Sequence, residues 1–245
     1  MAMAMDMAIA IIMIIQKMID IHNHLLYGVD DGSENFDMTI KLFEEYKNQG
    51  ITTAFLTPHV NSSVSKESRE IHIEKFNHLK PIAKKFNLDI HLGAEIYIPF
   101  RMPKLNFNEY LMGDSNILLV EFSIFQETPI NDHVYNLIRK GYDVVIAHIE
   151  RYNYLKIDDL VEFKEIGAYL QINASSILKR STNRKKVIQM IKKGLIDFVS
   201  TDTHNTSSRS PKLKEAFIEL KRLFGKTKAL ELVYNNQKRI FFKTR

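Results

Sequence analysis

Seven short apolar runs rich in β-branched and aromatic residues punctuate the chain: MIDIH from Met18, ITTAFLTPH from Ile51, DIHLGAEIY from Asp89, NILLVEFS from Asn116, DVVIAHIE from Asp143, AYLQINAS from Ala168 and IDFVSTDTH from Ile196. Runs of this length, bounded by turn residues, predict β-strands. Most are continuously apolar rather than alternating, which suits strands buried on both faces of a parallel sheet. Between them, apolar residues recur at helical spacing. Phe36, Ile40, Phe43 and Tyr46 do so before Gly50, and Ile71, Phe76, Leu79, Ile82 and Phe86 do so with Pro81 predicting a kink or break. Shorter helices are predicted over 131–140, 158–166 and 184–193, the last two ending near Gly167 and Gly194. Helices over 212–224 and 226–233 follow the last strand.

Strand–helix alternation of this kind predicts an α/β fold with a parallel sheet, open or closed into a barrel. The strand ends favour the barrel. His22 and His24 end the first strand and His59 the second. Glu95 lies late in the third, Glu121 late in the fourth, and His148 ends the fifth. Asp202 and His204 end the seventh. A closed barrel gathers the carboxyl ends of its strands on one face, where such folds carry their active sites, whereas an open sheet would spread some of these residues too far apart.

Composition narrows the class. The chain has 245 residues, 45% hydrophobic and 26% charged. That is enough to bury roughly 70–75% of the unfolded surface of one large domain. No linker, low-complexity tract or internal repeat divides it. A formal net charge of +5 favours an anionic partner such as phosphate, nucleic acid or a membrane surface, against the alternative of lysines scattered over helix faces. The absence of cysteine excludes disulfides and any thiol nucleophile, and fits a reducing cytoplasm. The first seventeen residues, MAMAMDMAIAIIMIIQK, differ from the rest. Their apolar core, 8–15, is shorter than the roughly 20 residues that span a bilayer, and no basic segment precedes it. They are expected to be an extension (1–17) upstream of a single domain (18–245) whose natural start is Met18. The basic C-terminal KRIFFKTR is expected to be a packed last helix with a ragged end.

His22 and His24, two apart, point to one side of a strand. A lone histidine is ordinarily a hydrogen-bonded structural residue, and His72, His78, His91 and His133 are read that way, the first two as surface residues. His-x-His joined by three more histidines, two glutamates and an aspartate at strand ends is different. Burying so many ionisable groups together is costly unless cations neutralise them. Imidazole mixed with carboxylate suits manganese, iron or zinc, and the lack of thiolate points to a hydrated catalytic site rather than a closed structural one.

These motifs, MIDIHNHLLYGVDDG, TPH, GAEIY, LLVEFS, AHIERY and TDTHN, resemble the ordered motifs of the polymerase and histidinol phosphatase (PHP) superfamily. More narrowly, they resemble its bacterial metal-dependent protein-tyrosine phosphatases from capsule and exopolysaccharide gene clusters, from Met18 to near the C-terminus. The resemblance implies a distorted, TIM-like (β/α)7 barrel with a three-metal site at the C-terminal ends of the strands. By that similarity one ion takes His22, His24, Glu95 and Asp202. A second shares Glu95 and adds Glu121 and His148. A third takes Asp31, His59 and His204. Of the neighbouring pair Asp30 and Asp31, the family pattern points to Asp31 as ligand and leaves Asp30 to cap or orient the loop at Gly32. The ions are expected to be divalent, manganese foremost, with iron, zinc, cobalt or magnesium as alternatives.

Arg151, three residues past His148, and Arg209, five past His204, are expected at the mouth, where a guanidinium fork grips phosphate. Tyr27, Tyr97, Phe125 and Tyr152 could line the mouth and stack on a phosphotyrosine ring, but each alone is more often a packing residue and none is placed in the catalytic set. A phenol of pKa near 10 leaves with little protonation, so tyrosyl phosphate suits a site with no strong general acid. The resemblance implies a phosphotyrosine protein as substrate, the tail of a bacterial tyrosine kinase controlling polysaccharide synthesis, and a cytoplasmic location. Neither nucleic acid nor stable membrane insertion is expected. The competing readings are a histidinol or other small-molecule phosphatase on the same fold, a nucleic-acid-associated relative, and a metal-stabilised binding module without activity.

Overall fold

The computed structural model describes residues 17–242; the predicted extension, apart from Lys17, lies outside the described residues. Nine strand segments carry the predicted runs: β1 Met18–Asp20, β2 Ile51–Leu56, β3 His59–Val60, β4 Asp89–Leu92, β5 Glu95–Tyr97, β6 Ile117–Glu121, β7 Asp143–Ile146, β8 Tyr169–Asn173 and β9 Phe198–Ser200. Seven helices alternate with them or follow: α1 Phe36–Gln49, α2 Arg69–Ala83, α3 Ile130–Arg139, α4 Ile157–Glu165, α5 Arg184–Lys192, α6 Leu213–Leu230 and α7 Asn236–Phe241.

Every strand pair is parallel, in the orders β1-β2-β4 and β3-β5-β6-β7-β8-β9. The predicted second and third strands are each broken in two. Pro58 has no N–H for a ladder, and the Thr57 N–H donates instead to the Asn23 carbonyl at 2.9 Å. In the third, the break falls at Gly93–Ala94, where a Cβ on Gly93 would collide with Met112. The upper halves, β3 and β5, thereby pass into the second sheet with His59 and Glu95 opposite each other. At the other end of the order, an isolated parallel bridge joins Asn23 to Thr203, and the His24 N–H donates to the Thr203 carbonyl at 2.8 Å. The sheet is therefore curled, with its first and last strand ends side by side.

Alternate side chains divide between two cores. One packs the helices on the sheet; a smaller one joins Ile21, Phe55, Leu119, Ala147 and Phe198 from well-separated strands, which touch only because the sheet curls. Ile240 and Phe241 of α7 complete it, so the C-terminal helix is packed as expected.

Helix α1 begins at Asn35, whose side chain accepts from the Met38 N–H at 3.0 Å, and ends at Gly50, left-handed with φ 81°. Pro81 does not break α2 at its own position: the helix runs two residues further, to Ala83, and closes in a tighter turn over Lys84–Phe86. The two predicted terminal helices follow one another within α6, separated at Gly225, whose φ 83° and ψ 164° are not helical.

Candidate metal centre

The strand ends converge. The Nε2 atoms of His22 and His24 lie 3.4 Å apart. Glu95 Oε2 is 3.1 Å from the first and 3.2 Å from the second, and Asp202 Oδ1 is 3.7 and 3.5 Å away. His148 Nε2 stands 2.8 Å from Glu95 Oε1 and 3.7 Å from Glu121 Oε2. His59 Nδ1 lies 3.2 Å from Glu95 Oε2 and 3.0 Å from Glu121 Oε1. Asp31 Oδ1 lies 3.5 Å from His59 Nε2 and 3.4 Å from His204 Nε2. All nine candidate residues fall into four overlapping groups able to hold metal: His24–Asp31–His59–His204, His22–Glu95–His148, His22–His24–Asp202 and His59–Glu95–Glu121. The overlap cuts across the division into three ligand sets, with His22 joining Glu95 and His148, and His59 joining Glu95 and Glu121.

The donor set fits divalent cations. Donors on one ion at about 2.1 Å stand roughly 3–3.5 Å from one another, the spacing found here. His59 Nδ1, Glu95 Oε2 and His204 Nε2 are buried without hydrogen-bond partners; the first two are 3.2 Å apart but not aligned to bond each other. Their lone pairs converge rather than pair.

Outer groups set the tautomers. His24 Nδ1 donates to Asp30 Oδ2 at 2.8 Å, and His204 Nδ1 donates to the Asp202 carbonyl at 3.0 Å. Both rings therefore present an unprotonated Nε2 inward when neutral. Asp30 also accepts from the His59 N–H at 2.9 Å and, through Oδ1, from the Gly32 N–H at 2.9 Å. It orients the loop, while the more exposed Asp31 reaches the cluster. Two of the nine residues, His148 (φ 32°) and Asp202 (φ 53°), have left-handed backbones without being glycine, a strain the site imposes where strands must turn their side chains inward.

The cluster draws positive charge. Burial opposes protonation of His22, His24 and His59, yet Glu95 (for His22 and His59) and Asp30 (for His24) raise all three above the ordinary imidazole value. Burial likewise opposes ionisation of Glu95 and Asp202. His22 and His59 hold Glu95 well below the carboxylate range, and His24, His22 and Arg209 do so for Asp202. His204 goes the other way: burial and the neighbouring His24 push it down to about 4.

The cluster floors a cleft of about 490 Å³ lined by Asp31, His59, Glu95, Glu121, Arg151 and Arg209 among others. Arg209 Nη2 donates to both Asp202 oxygens at 2.9 and 3.0 Å, and Arg151 Nη1 lies 3.6 Å from Asp202 Oδ2. Both guanidiniums thus sit at the mouth. Of the four aromatic candidates, Tyr97 and Phe125 line it, Phe125 being 92% exposed. Tyr152 does not: it is fully buried, its hydroxyl accepting from the Phe122 N–H at 3.0 Å. Tyr27 does not line this cleft either, its hydroxyl lying 3.1 Å from His78 Nδ1. His72 is not a surface residue; at 1% exposure it occupies the inner face of α2 with Phe76, Leu79 and Ala83. His133 is also buried, against the Phe100 carbonyl at 3.1 Å.

The sixth strand run, the only one without an imidazole or carboxylate at its end, carries functional residues that no metal-ligand pattern marks. It supplies Gln171 and Asn173. The Asn173 amide donates to Asp202 Oδ2 at 2.7 Å, and Gln171 Nε2 donates to Asn173 Oδ1 at 3.1 Å. The signal was a polar pair two residues apart on an apolar run. Asp20 was missed too. Its carboxylate, pushed up by burial despite the bonds from Tyr46 and Thr201, ties the end of β1 to the segment after β9 through the Thr201 N–H at 2.8 Å.

Fold and site together define the class, a metal-dependent phosphatase fold with His/Asp/Glu clusters able to bind metal. Within it, the chain belongs to the capsular polysaccharide synthesis CpsB/CapC family, whose model matches residues 18–242. It is 32% identical to the tyrosine-protein phosphatase CpsB of Streptococcus agalactiae over 91% of this chain and 98% of that one. With the tyrosine-protein phosphatase YwqE of Bacillus subtilis it shares 31% identity, covering 90% and 92%. Among solved structures, that of YwqE and Streptococcus pneumoniae CpsB, described as unique metal-dependent tyrosine phosphatases, matches with a TM-score of 0.80 and 28% identity over 93% of this chain and 96% of the other. An amidohydrolase from Mycoplasma synoviae, 15% identical with a TM-score of 0.61 over 91% and 87%, shares the fold.

Proposed function

We propose that the chain is a metal-dependent protein-tyrosine phosphatase that hydrolyses phosphotyrosine on a protein substrate. The observation that carries this is near-full-length similarity to tyrosine-protein phosphatases in a chain whose cleft floor gathers mostly buried histidine and carboxylate donors at metal-ligand spacing. In this reading His22, His24, Asp31, His59, Glu95, Glu121, His148, Asp202 and His204 hold three divalent ions, manganese foremost, at the C-terminal ends of a distorted (β/α)7 barrel spanning 18–245. The convergence of unpaired donors and the four overlapping groups support it. Ions held there supply Lewis acidity that brings a water toward ionisation near neutral pH and offsets phosphoryl charge.

The chain's own side chains do the rest. Arg151 and Arg209, each with more than a third of its side chain exposed at the mouth, bind the phosphoryl oxygens and fix the direction from which the phosphorus is approached. Asp30, Gln171 and the Asp202 carbonyl hold ring protons away from the cluster, keeping Nε2 of His24, His22 and His204 available inside it. Tyr97 and Phe125 offer aromatic and apolar surface to a phenyl ring. No group stands out as a strong general acid, and a phenolate leaving group of pKa near 10 makes small demand for one.

The substrate is read as the phosphotyrosine tail of a bacterial kinase controlling polysaccharide synthesis, met in the cytoplasm. The family's place in capsular polysaccharide synthesis and the cysteine-free chain support this. Among the described residues no helix is long and apolar enough to cross a membrane. A histidinol-phosphatase activity is not favoured by the named relatives. The test is turnover, with manganese added, on a phosphotyrosine peptide and on histidinol phosphate. The reading expects clear preference for the peptide and is overturned by preference for histidinol phosphate.

A further inference from the structure

We propose that a second, polar cleft beside the first binds an anionic side chain, carboxylate or phosphate, of the same polypeptide that presents the phosphotyrosine. The proposal rests on the phosphatase reading and extends it to substrate recognition.

The second cleft has a volume of about 450 Å³ and shares Arg151, Asp202 and Arg209 with the first. The two are therefore contiguous across the arginine pair, and a chain whose phosphotyrosine enters one has its neighbouring residues beside the other. Their linings differ in kind. The first carries the carboxylates of Asp31, Glu95 and Glu121 as well as apolar Phe122, Ile124 and Phe125. The second has no apolar side chain in its lining; Ser181, Asn183, Ser208, Ser210 and Lys212 face it with hydroxyl, amide and ammonium groups. Its one carboxylate, Asp202, is already bonded by Arg209 through both oxygens. A cleft of this chemistry gives nothing to an aromatic or aliphatic residue and several donors to an anion.

The rim carries the same sign. The segment KRSTNRKK, 179–186, borders the cleft through Ser181 and Asn183 and contains five cations and no acid. Two of them are engaged: Arg184 bonds Glu219 and the Ile177 carbonyl, and Lys186 donates to the carbonyls of Glu150 and Tyr152 at 3.1 and 2.9 Å. Lys179, Arg180 and Lys185 are exposed and have no ion-pair partner among the described residues. Lys212 is shared in part with Glu45, whose carboxyl it draws down against burial. Asn183 and Lys212 immediately precede α5 and α6, so both stand where those helices begin.

The test is fluorescence anisotropy on the full, manganese-loaded chain. The probes are labelled peptides bearing non-hydrolysable phosphonomethyl-phenylalanine, flanked by Gly/Ser, by glutamates, or by a second phosphonate. Either anionic flank should tighten Kd about tenfold over the neutral one. The double variant Arg180→Glu/Lys212→Glu should remove that gain, while Lys41→Glu, an exposed charge change on α1, should keep it. Turnover of p-nitrophenyl phosphate unchanged in the double variant shows that it folds. Gain from the phosphonate flank alone identifies the ligand as phosphate, and from the glutamate flank alone as carboxylate. Equal Kd for all three peptides, or a gain that survives in Arg180→Glu/Lys212→Glu, overturns the proposal. Failure of the wild-type chain to hydrolyse a neutral-flanked phosphotyrosine peptide would instead contradict the phosphatase reading, with the flank dependence of binding still deciding the role of the cleft.

Discussion

Gln171 fixes the tautomer of His22. Its Oε1 accepts the backbone N–H of His148 at 2.8 Å, so this atom is the amide oxygen, and the His22 Nδ1 at 3.1 Å must be the protonated ring nitrogen. Nε2 is left bare toward Glu95 and His24. One amide on β8 thus orients two candidate ligands and, through Asn173, a third, Asp202. Gln171→Leu should keep the fold, read by circular dichroism, and weaken metal binding by about 10- to 100-fold. Metal content after dialysis checks this; a variant retaining the wild-type complement would show that the amide is only packing.

The arginines should separate from the ligands by what they change. Arg209→Ala should lower kcat/KM for a phosphotyrosine peptide on the order of a hundredfold, with Arg151→Ala in the same direction. The metal content of each variant should stay at the wild-type level, because neither supplies a ligand donor. Loss of metal in step with activity would assign Arg209 to holding Asp202, which it also contacts, rather than to holding phosphate.

Gly32 tests the loop that carries Asp30 and Asp31. A Cβ there would collide with the Cβ and carbonyl oxygen of His24. Gly32→Ala must displace that loop from His24, so it should cost about 2 kcal/mol of stability or more and reduce metal occupancy. Chemical denaturation and metal analysis measure the two effects. An unperturbed Tm and metal content would mean the loop yields without consequence.

His72 provides a pH dependence away from the centre. Burial, then the charge of Arg69, push it down to about 4 from 6.5, and neither ring nitrogen has a hydrogen-bond partner. The unfolded chain therefore binds more protons as pH falls. His72 favours the folded state fully above its unfolded value, and that contribution is lost as pH drops from about 6.5 toward 4, by up to about 3 kcal/mol. His72→Leu should flatten the stability–pH curve in that interval relative to wild type, measured by urea denaturation. Parallel curves would contradict the assignment.

The outline of this molecule was legible where one physical pattern dominated. Continuous apolar runs gave the strands, and the helical spacing from Phe36 to Tyr46 before Gly50 marked the first helix, although its cap at Asn35 was not singled out. The centre was legible because His22-x-His24 and the Asp30-Asp31-Gly32 loop carry chemistry that packing does not call for. What escaped was set by partners distant in sequence. The strand breaks at Thr57–Pro58 and Gly93–Ala94 depend on Asn23 and Met112. Tyr152, for which packing was the commoner role, is held inside by an N–H on Phe122, a partner thirty residues away that the sequence does not name. His72 could have been found, since it shares the four-three-four spacing of Phe76, Leu79 and Ala83, but its ionisable ring suggested water. Gln171 and Asn173 were hidden because a neutral amide at a strand end is common, and only the histidine and aspartate it meets give it a role.

The account stands on a cation cluster beneath two arginines, and metal analysis of protein purified without chelator, paired with phosphotyrosine-peptide turnover, tests it most directly. It predicts a metal-to-chain ratio near three, loss of activity with the metal on exhaustive chelation, and recovery of both on adding manganese. Full turnover at a ratio near zero would contradict it.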